Sequence, residues 1–81
     1  LGQVKKAGNF PIRTKMSVIE AISLSGGFTD FADLTNVVVA RKTKEGEEKR
    51  FVIDIKKIVN GEKENFYLQA GDIIFVSERF F

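Results

Sequence analysis

The sequence has 81 residues, of which 43% are hydrophobic and 30% charged, and its formal net charge is +2. These proportions indicate one small folded domain and exclude an intrinsically disordered chain. Cysteine and histidine are both absent, which excludes disulfides, thiolate metal sites and histidine-dependent catalytic triads. We therefore expect no metal and no cofactor. Because the chain begins at Leu1 rather than at a methionine, we expect residues 1–81 to be one domain cut from a longer protein.

The first predicted elements are two strands joined by a tight turn. Leu1–Val4 and Asn9–Arg13 have strand character, and the segment between them, Lys-Lys-Ala-Gly, predicts a hairpin turn in which Gly8 adopts a positive φ. Pro11 has no N–H group to donate, so the second strand should have an open side there. Residues 1–19 also contain four basic side chains and no acidic one, namely Lys5, Lys6, Arg13 and Lys15. They form either a solvated surface or a patch that faces an anionic partner.

A single helix in Met16–Thr29 is the element around which the other predicted elements are arranged. Ser17 followed three residues later by Glu20 is a capping box, in which each side chain accepts a hydrogen bond from the other residue's backbone N–H. Gly26-Gly27 ends the helix, because glycine adopts the left-handed cap conformation without a steric cost. The helical face expected to pack on a sheet consists of Val18, Ala21, Ile22 and Ser25.

The middle of the chain predicts a loop and two strands. Phe28–Asn36 has no two-residue period and is expected to be a structured loop. Val37–Arg41 is a β-branched run typical of a buried strand. The charged turn Lys44–Glu48 separates it from a second strand, Lys49–Ile55. The residues of that strand predicted to share one face are Phe51, Ile53 and Ile55.

The last third of the chain predicts one helical turn and two strands. Asp54 can cap a turn in which Ile55, Ile58 and Val59 have helical spacing and which Asn60-Gly61 ends. The elements that follow are a short strand at Phe66–Leu68, a turn at Gln69–Asp72 and a final strand at Ile73–Val76.

This order of elements predicts the fold class. A hairpin, a crossing helix and further strands that return to one mixed sheet form the ββαβββ plan of an α+β β-grasp, or ubiquitin-like, domain. A ferredoxin-like alternation would need a second full helix, and Ile55–Val59 is too short for one. A five-stranded OB barrel is a further alternative.

The residues do not favour catalysis. Most acidic side chains lie in charged turns, where solvent surrounds them, and Asp30 and Asp33 are expected to cap turns. Two carboxylates also fall short of the six or more oxygen ligands that calcium prefers. Gly26-Gly27-Phe28 follows a helix, whereas a phosphate-binding loop precedes one. We expect a protein that is not an enzyme.

Nucleic-acid binding is not favoured either. Phe51 and Phe66 alternate with polar residues as core residues do, and no RNP-like aromatic motif is present. Among β-grasp proteins, sulfur carriers and ubiquitin-like modifiers need a C-terminal Gly-Gly, but this chain ends in Arg79-Phe80-Phe81, and ferredoxins need cysteines. A binding or assembly module is the class that is left.

Four segments together resemble the SLBB (soluble-ligand-binding β-grasp) domain, in the form found in Wza-type bacterial polysaccharide biosynthesis/export proteins. They are LGQVKKAG at residues 1–8, MSVIEAI at 16–22 with GGF at 26–28, LQAGDII at 68–74 and SERFF at 77–81. The chain departs from the family at Ala7 and Ser77, where proline is frequent, and at Thr14-Lys15, where Pro-Gly is frequent. These departures concern the subfamily rather than the fold.

The resemblance implies a periplasmic domain of an outer-membrane-associated protein that forms a homo-oligomeric ring for capsular or exopolysaccharide export. Polysaccharide would be the partner, and the membrane would be reached only through other parts of the parent chain. Other SLBB relatives bind cobalamin, so a carrier for a cobalamin-like ligand is one alternative, and a structural spacer that binds nothing is another. The family offers no catalytic group to carry over.

Three surfaces are predicted to make contacts. The loop after the helix presents backbone groups and short polar side chains that suit sugar hydroxyls, although Gly27 and Phe28 can instead serve a turn and the core. Adjacent aromatic residues at the C-terminus point to opposite sides of an extended chain, so one of them indicates a packing partner unless the end is frayed. The predicted glycan contacts are Gly27, Phe28, Thr29, Asp30, Lys5, Lys6 and Arg13, and the predicted interface is Arg79, Phe80 and Phe81.

Overall fold

A computed structural model describes residues 8–24 and 32–78, with side chains described from residue 11 onward. It confirms the α+β class, with a four-stranded sheet of order β1-β6-β3-β4 and a two-stranded sheet of β2 and β5. The elements in chain order are β1 Gly8–Pro11, β2 Met16–Ser17, α1 Val18–Leu24, β3 Val37–Lys42, β4 Glu48–Ile53, α2 Ile55–Val59, β5 Tyr67–Leu68 and β6 Ile73–Val76.

The strand pairs between described residues are all antiparallel. In the larger sheet β3 lies between β4 and β6, and β6 lies between β3 and β1. Within the described residues β1 pairs with β6, and the open side expected at Pro11 stays a prediction. The predicted strand Leu1–Val4 lies outside the described residues, so the mixed β-grasp arrangement stays a prediction.

The capping box of α1 is confirmed. The backbone N–H of Ser17 donates to Oε1 of Glu20 at 3.0 Å, and the backbone N–H of Glu20 donates to Oγ of Ser17 at 3.1 Å. Val18, Ala21 and Ile22 are buried, as the helical spacing predicts. The remaining parts of that prediction, Ser25 and the stop at Gly26-Gly27, lie outside the described residues.

The core lies between α1 and the inner face of the four-stranded sheet, and the second helix and β5 contribute to it. Val18, Leu68 and Ile74 are each 0% exposed, so the core joins the helix, the small sheet and the large sheet. Partly buried hydrophobic residues around it include Phe51 and Phe66. The buried cluster consists of Ile12, Val18, Ala21, Ile22, Ala32, Val37, Val39, Ile53, Ile55, Leu68, Ile74 and Val76.

Some predicted strand boundaries are wrong. The strand expected over Lys49–Ile55 ends at Ile53, because the carboxylate of Asp54 accepts a hydrogen bond from the backbone N–H of Lys57 at 3.1 Å and starts α2 there. Ile55 is buried from the helix rather than from the strand. Gly8, predicted to lie in a turn, is the first residue of β1 and pairs with Val76.

The helical turn predicted after Asp54 is confirmed, because α2 begins after the Asp54 cap and ends at Val59, with Asn60 as its C-cap. Gly61 follows with a φ of 79°, which favours glycine. Val59 is 69% exposed, so the helical spacing of three apolar residues overstated how much of α2 is buried. A five-residue helix has room to bury only one narrow stripe of side chains.

The loop before β3 is held in place by Asp33, as predicted. Its Oδ1 accepts hydrogen bonds from the backbone N–H of Thr35 at 3.1 Å and from Oγ1 of Thr35 at 2.8 Å. The backbone N–H of Asp33 donates to the carbonyl of Ser77 at 2.8 Å. The predicted turn cap Asp30 lies outside the described residues. Among the helices of residues 8–24 and 32–78, none is long and apolar enough to cross a membrane.

Candidate functional site

Of the residues predicted to contact a ligand or partner, only Arg13 belongs to the described part of the chain. It is exposed and directly follows Ile12, whose backbone N–H donates to the carbonyl of Asp72 at 2.8 Å. The glycan-contact role of Arg13 stays a prediction. The others, which lie outside the described residues, are Lys5, Lys6, Gly27, Phe28, Thr29, Asp30, Arg79, Phe80 and Phe81.

Sequence reasoning missed a buried ion pair at the end of β3. The guanidinium of Arg41 donates from Nε to Oδ1 of Asp72 at 2.9 Å and from Nη2 to Oδ2 at 2.8 Å. The side chain of Asp72 is 1% exposed and that of Arg41 is 21% exposed. In the antiparallel β3–β6 register Ala40 lies opposite Ile73. The next position of this register places Arg41 opposite Asp72. A two-bond geometry of this kind fixes both side chains.

This Arg41–Asp72 junction connects both sheets. Oδ2 of Asp72 also accepts a hydrogen bond from the backbone N–H of Gln69 at 2.8 Å, and Nη2 of Arg41 donates to the carbonyl of Tyr67 at 3.3 Å. The carbonyl of Asp72 accepts from the N–H of Ile12 just beyond β1. The side chains of Arg41 and Asp72, together with the backbone carbonyl of Asp72, therefore link the ends of β1, β3, β5 and β6.

The two charges of the junction stabilise each other. Burial works to raise the pKa of Asp72, but the hydrogen bonds from Arg41 and Gln69, together with the positive charge of Arg41, outweigh it, so this pKa lies below its ordinary value of 3.8. The hydrogen bond to Asp72 raises the pKa of Arg41, against the opposing effect of burial. The carboxylate is therefore a fixed structural anion at neutral pH.

Two aromatic rings cover the guanidinium of the junction. Arg41 Cζ lies 5.0 Å from the ring centroid of Phe51 and 5.6 Å from that of Phe66. The two rings are 5.3 Å apart and inclined by 51°, an arrangement that aromatic pairs favour. Both rings are half-buried and pack against the hydrophobic core, in agreement with the prediction that they belong to it.

A cavity of about 180 Å³ lies between the end of β4, α2 and the segment before β5. We call its buried and half-buried apolar residues, Ile53, Ile58 and Phe66, the floor, and its polar residues the rim. The exposed Val52 also borders it. We call it the β4–α2 cavity. The residues that line it are Val52, Ile53, Asp54, Ile58, Lys63, Glu64, Asn65 and Phe66.

Local hydrogen bonds hold the walls of the β4–α2 cavity. The backbone N–H groups of Glu62 and Lys63 donate to the carbonyl of Lys57 at 2.8 and 3.2 Å, which folds this segment back against α2. Oδ1 of Asn65 accepts from the backbone N–H of Phe66 at 2.9 Å, and the carbonyl of Phe66 accepts from Val18 at 2.8 Å. The cavity is therefore part of the folded structure.

Comparison with known proteins assigns the family. The model of the SLBB domain matches residues 1–76, which include the junction and the β4–α2 cavity. The chain belongs to the SLBB domain family. This is a family of binding domains rather than of enzymes, and it makes the chain a module of the soluble-ligand-binding type. No solved structure matched the chain. The resemblance read from the four sequence segments is confirmed at the level of the family, and the Wza-type context stays a prediction.

The SLBB domain also presents an apolar surface on the side of its sheet opposite the core. Val38 lies directly between Phe75 of β6 and Val52 of β4, so the three side chains share one face. Val52 is 63% exposed, and the guanidinium of Arg50 lies 5.1 Å from the ring centroid of Phe75. Nε of Arg50 also contacts Oε2 of Glu48 at 2.6 Å. We call this surface the outer sheet face.

The described part of the SLBB domain has two candidate contact surfaces, the β4–α2 cavity and the outer sheet face. Within residues 8–24 and 32–78, no group of three or more acidic side chains is placed to hold a metal ion. The most buried carboxylate, Asp72, is held by Arg41.

Proposed function

We propose that this SLBB domain is a non-enzymatic binding and assembly module of a bacterial capsular or exopolysaccharide export translocon. Its place would be the periplasm, as part of an outer-membrane-associated protein. It would contribute packing between the subunits of a homo-oligomeric ring and weak contact with the exported glycan. The family match over residues 1–76 supports the binding class, and the likeness of the four sequence segments to Wza-type copies supports the export setting.

The observation that carries the proposal is the outer sheet face. Val52 is 63% exposed although it belongs to a strand, and its neighbours across the sheet, Val38 and Phe75, are only half-buried. An apolar surface shared by three neighbouring strands supports a role in packing against another subunit. The Glu48–Arg50 pair beside it supplies the polar rim that protein interfaces usually have.

The acidic groups support a role without catalysis. Asp72 is ionised and hydrogen-bonded to Arg41 and Gln69, so it neither donates nor accepts protons readily near neutral pH. The carboxylates of Glu20, Asp33 and Asp54 each accept hydrogen bonds that cap a helix or turn. These groups maintain the structure.

The cobalamin-type carrier receives less support. The β4–α2 cavity has a volume of about 180 Å³, below the roughly 300–1,000 Å³ of pockets that enclose drug-sized ligands. Calorimetry distinguishes the carrier from the export module, because heat on mixing with cobalamin and none with sugars would favour the carrier. A chain that associates with itself but responds to no ligand would favour the structural spacer.

The test of the assembly role is sedimentation equilibrium of the 81-residue chain across a range of concentrations. We expect wild type to self-associate weakly, and we expect Val52→Lys to be monomeric because it places a charge in the outer sheet face. Val59→Lys is the matched control, since Val59 is also a highly exposed valine but lies on α2, away from the sheet. Equal association of all three proteins would contradict the assignment of this face.

A further inference from the structure

We infer that the β4–α2 cavity is a subsite for one neutral, pyranose-sized ring, whose C–H face packs on the apolar floor and whose hydroxyl groups meet the polar rim. The inference rests on the proposed function, because it specifies the ligand class and the location for the glycan contact. It also moves that contact to a surface remote in sequence from Lys5, Lys6 and the loop Gly27–Asp30.

The size and floor of the cavity define the kind of ring. A volume of about 180 Å³ suits a single small ring rather than the drug-sized ligands of larger pockets. Ile53, Ile58 and the aromatic ring of Phe66 line its floor. A pyranose has one face made largely of C–H groups, and such a face replaces water on an apolar floor favourably.

The rim favours a neutral ligand that both donates and accepts hydrogen bonds. Asp54 and Glu64 supply carboxylate acceptors, whereas Lys63 and the amide of Asn65 supply donors. A hydroxyl group serves both kinds of partner at once. An anionic ring would meet two carboxylates against one ammonium group, whereas the hydroxyl groups of a neutral ring use the donors and the acceptors of the rim alike.

The polar groups of the rim are available to a ligand. Within residues 8–24 and 32–78, the side chains of Lys63 and Glu64 form no hydrogen bond or ion pair with another residue. Asn65 uses Oδ1 for the N–H of Phe66, which leaves its NH₂ group to donate. Asp54 uses Oδ1 for the α2 cap, which leaves Oδ2 to accept.

The floor is preorganised by the neighbouring junction. Phe66 is held in contact with Phe51 at 5.3 Å and beneath the guanidinium of Arg41 at 5.6 Å. A ring fixed in this way loses little freedom when a ligand packs on it, and preorganisation of this kind favours affinity. The junction therefore supports the ligand surface without contacting the ligand.

The test is an amide NMR titration of the 81-residue chain with methyl β-glucopyranoside, glucuronate and glucosamine. We expect shifts confined to residues 52–66 and an affinity for the neutral glycoside on the order of 1 mM, the usual strength for so small a ligand. We expect weaker binding of both charged sugars. Shifts elsewhere in the chain, or stronger binding of a charged sugar, would overturn the inference.

A cavity-filling variant locates the site. Ile58→Phe places a larger side chain in the cavity and should weaken binding about tenfold, whereas Val59→Phe makes a comparable change on the exposed side of the same helix and should leave affinity unchanged. Lys63→Ala, which deletes a rim donor on an exposed segment, should weaken binding about threefold, with Lys56→Ala as its control. Native-like amide spectra of each variant check the fold, and undiminished binding by both Ile58→Phe and Lys63→Ala would refute the site.

The outcome also distinguishes this inference from the proposed function. If Ile58→Phe loses the glycoside and retains self-association, both are supported. If sugars bind but shift only residues 13–15, the subsite is wrong and the module stands. If neither sugar binding nor self-association is detected, both are wrong.

Discussion

The Arg41–Asp72 junction and the β4–α2 cavity use similar residues for opposite purposes. Each combines charged side chains with aromatic or aliphatic surface, and Phe66 belongs to both. In the junction, the carboxylate of Asp72 is 1% exposed and accepts hydrogen bonds from Arg41 and Gln69. In the cavity, the charged groups of Lys63 and Glu64 face solvent. Residue type alone therefore does not separate a structural cluster from a binding surface.

The difference lies in how many of the polar atoms already have partners. A buried carboxylate is tolerated only when it is paired and hydrogen-bonded, so the junction is complete without a ligand. A rim exposed to water has no such requirement and keeps its donors and acceptors for another molecule. We therefore expect substitutions in the junction to change stability and substitutions in the cavity rim to change binding.

The largest expected effect is that of Asp72→Ala. The substitution leaves the guanidinium of Arg41 and the N–H of Gln69 without their partner, so we expect a loss of about 3 kcal/mol in the free energy of unfolding. Urea denaturation followed by circular dichroism measures it. The control is Glu48→Ala, which breaks the exposed Glu48–Arg50 pair and should cost less than about 1 kcal/mol. Equal losses in the two variants would show that the junction is not the stabilising cluster.

A smaller effect is expected at Phe66, the residue that the two regions share. Phe66→Ala should cost about 2 kcal/mol, less than the roughly 3–5 kcal/mol of a fully buried phenylalanine, because its side chain is half-buried. The same variant should also abolish glycoside binding, because it removes part of the cavity floor. Tyr67→Ala is the control, since Tyr67 is 67% exposed and adjacent. Normal sugar binding by Phe66→Ala would mean that Phe66 serves the junction but not the ligand site.

Local patterns in the sequence predicted the elements that local interactions determine. The capping box of Ser17 and Glu20 spans three residues, and Asp54 caps α2 through a residue three positions away. The β-branched run that forms β3 and the apolar run that forms β6 were also recognisable. In each case the cause of the structure lies within a few residues of the structure itself.

Contacts between distant segments were not predictable in this way. Arg41 and Asp72 are 31 positions apart, and their contact depends on the β3–β6 register, which no local pattern encodes. One signal was available, because Arg41 follows Val37 and Val39 on the inner face of β3, where a charge requires a partner. The pairing of β2 with β5 was missed because two residues cannot show a period. The β4–α2 cavity was missed because separate segments form it.

The smallest expected effect is the pH dependence of the contribution that Asp72 makes to stability. The folded pKa of Asp72 lies below its ordinary value of 3.8, because the hydrogen bonds and charge of its partners outweigh its burial. Its contribution is therefore complete above about pH 4, where the unfolded carboxyl is ionised, and is lost as the pH falls through the folded pKa. Asp72→Asn lacks this contribution, so the stability difference between wild type and variant should narrow below pH 4. The protonated carboxyl of Asp72 keeps its volume and part of its hydrogen bonding, so the stability that wild type loses on acidification should be smaller than the loss caused by Asp72→Ala. A stability difference between wild type and Asp72→Asn that stays constant from pH 7 to about pH 2 would mean that the charge of Asp72 does not stabilise the fold.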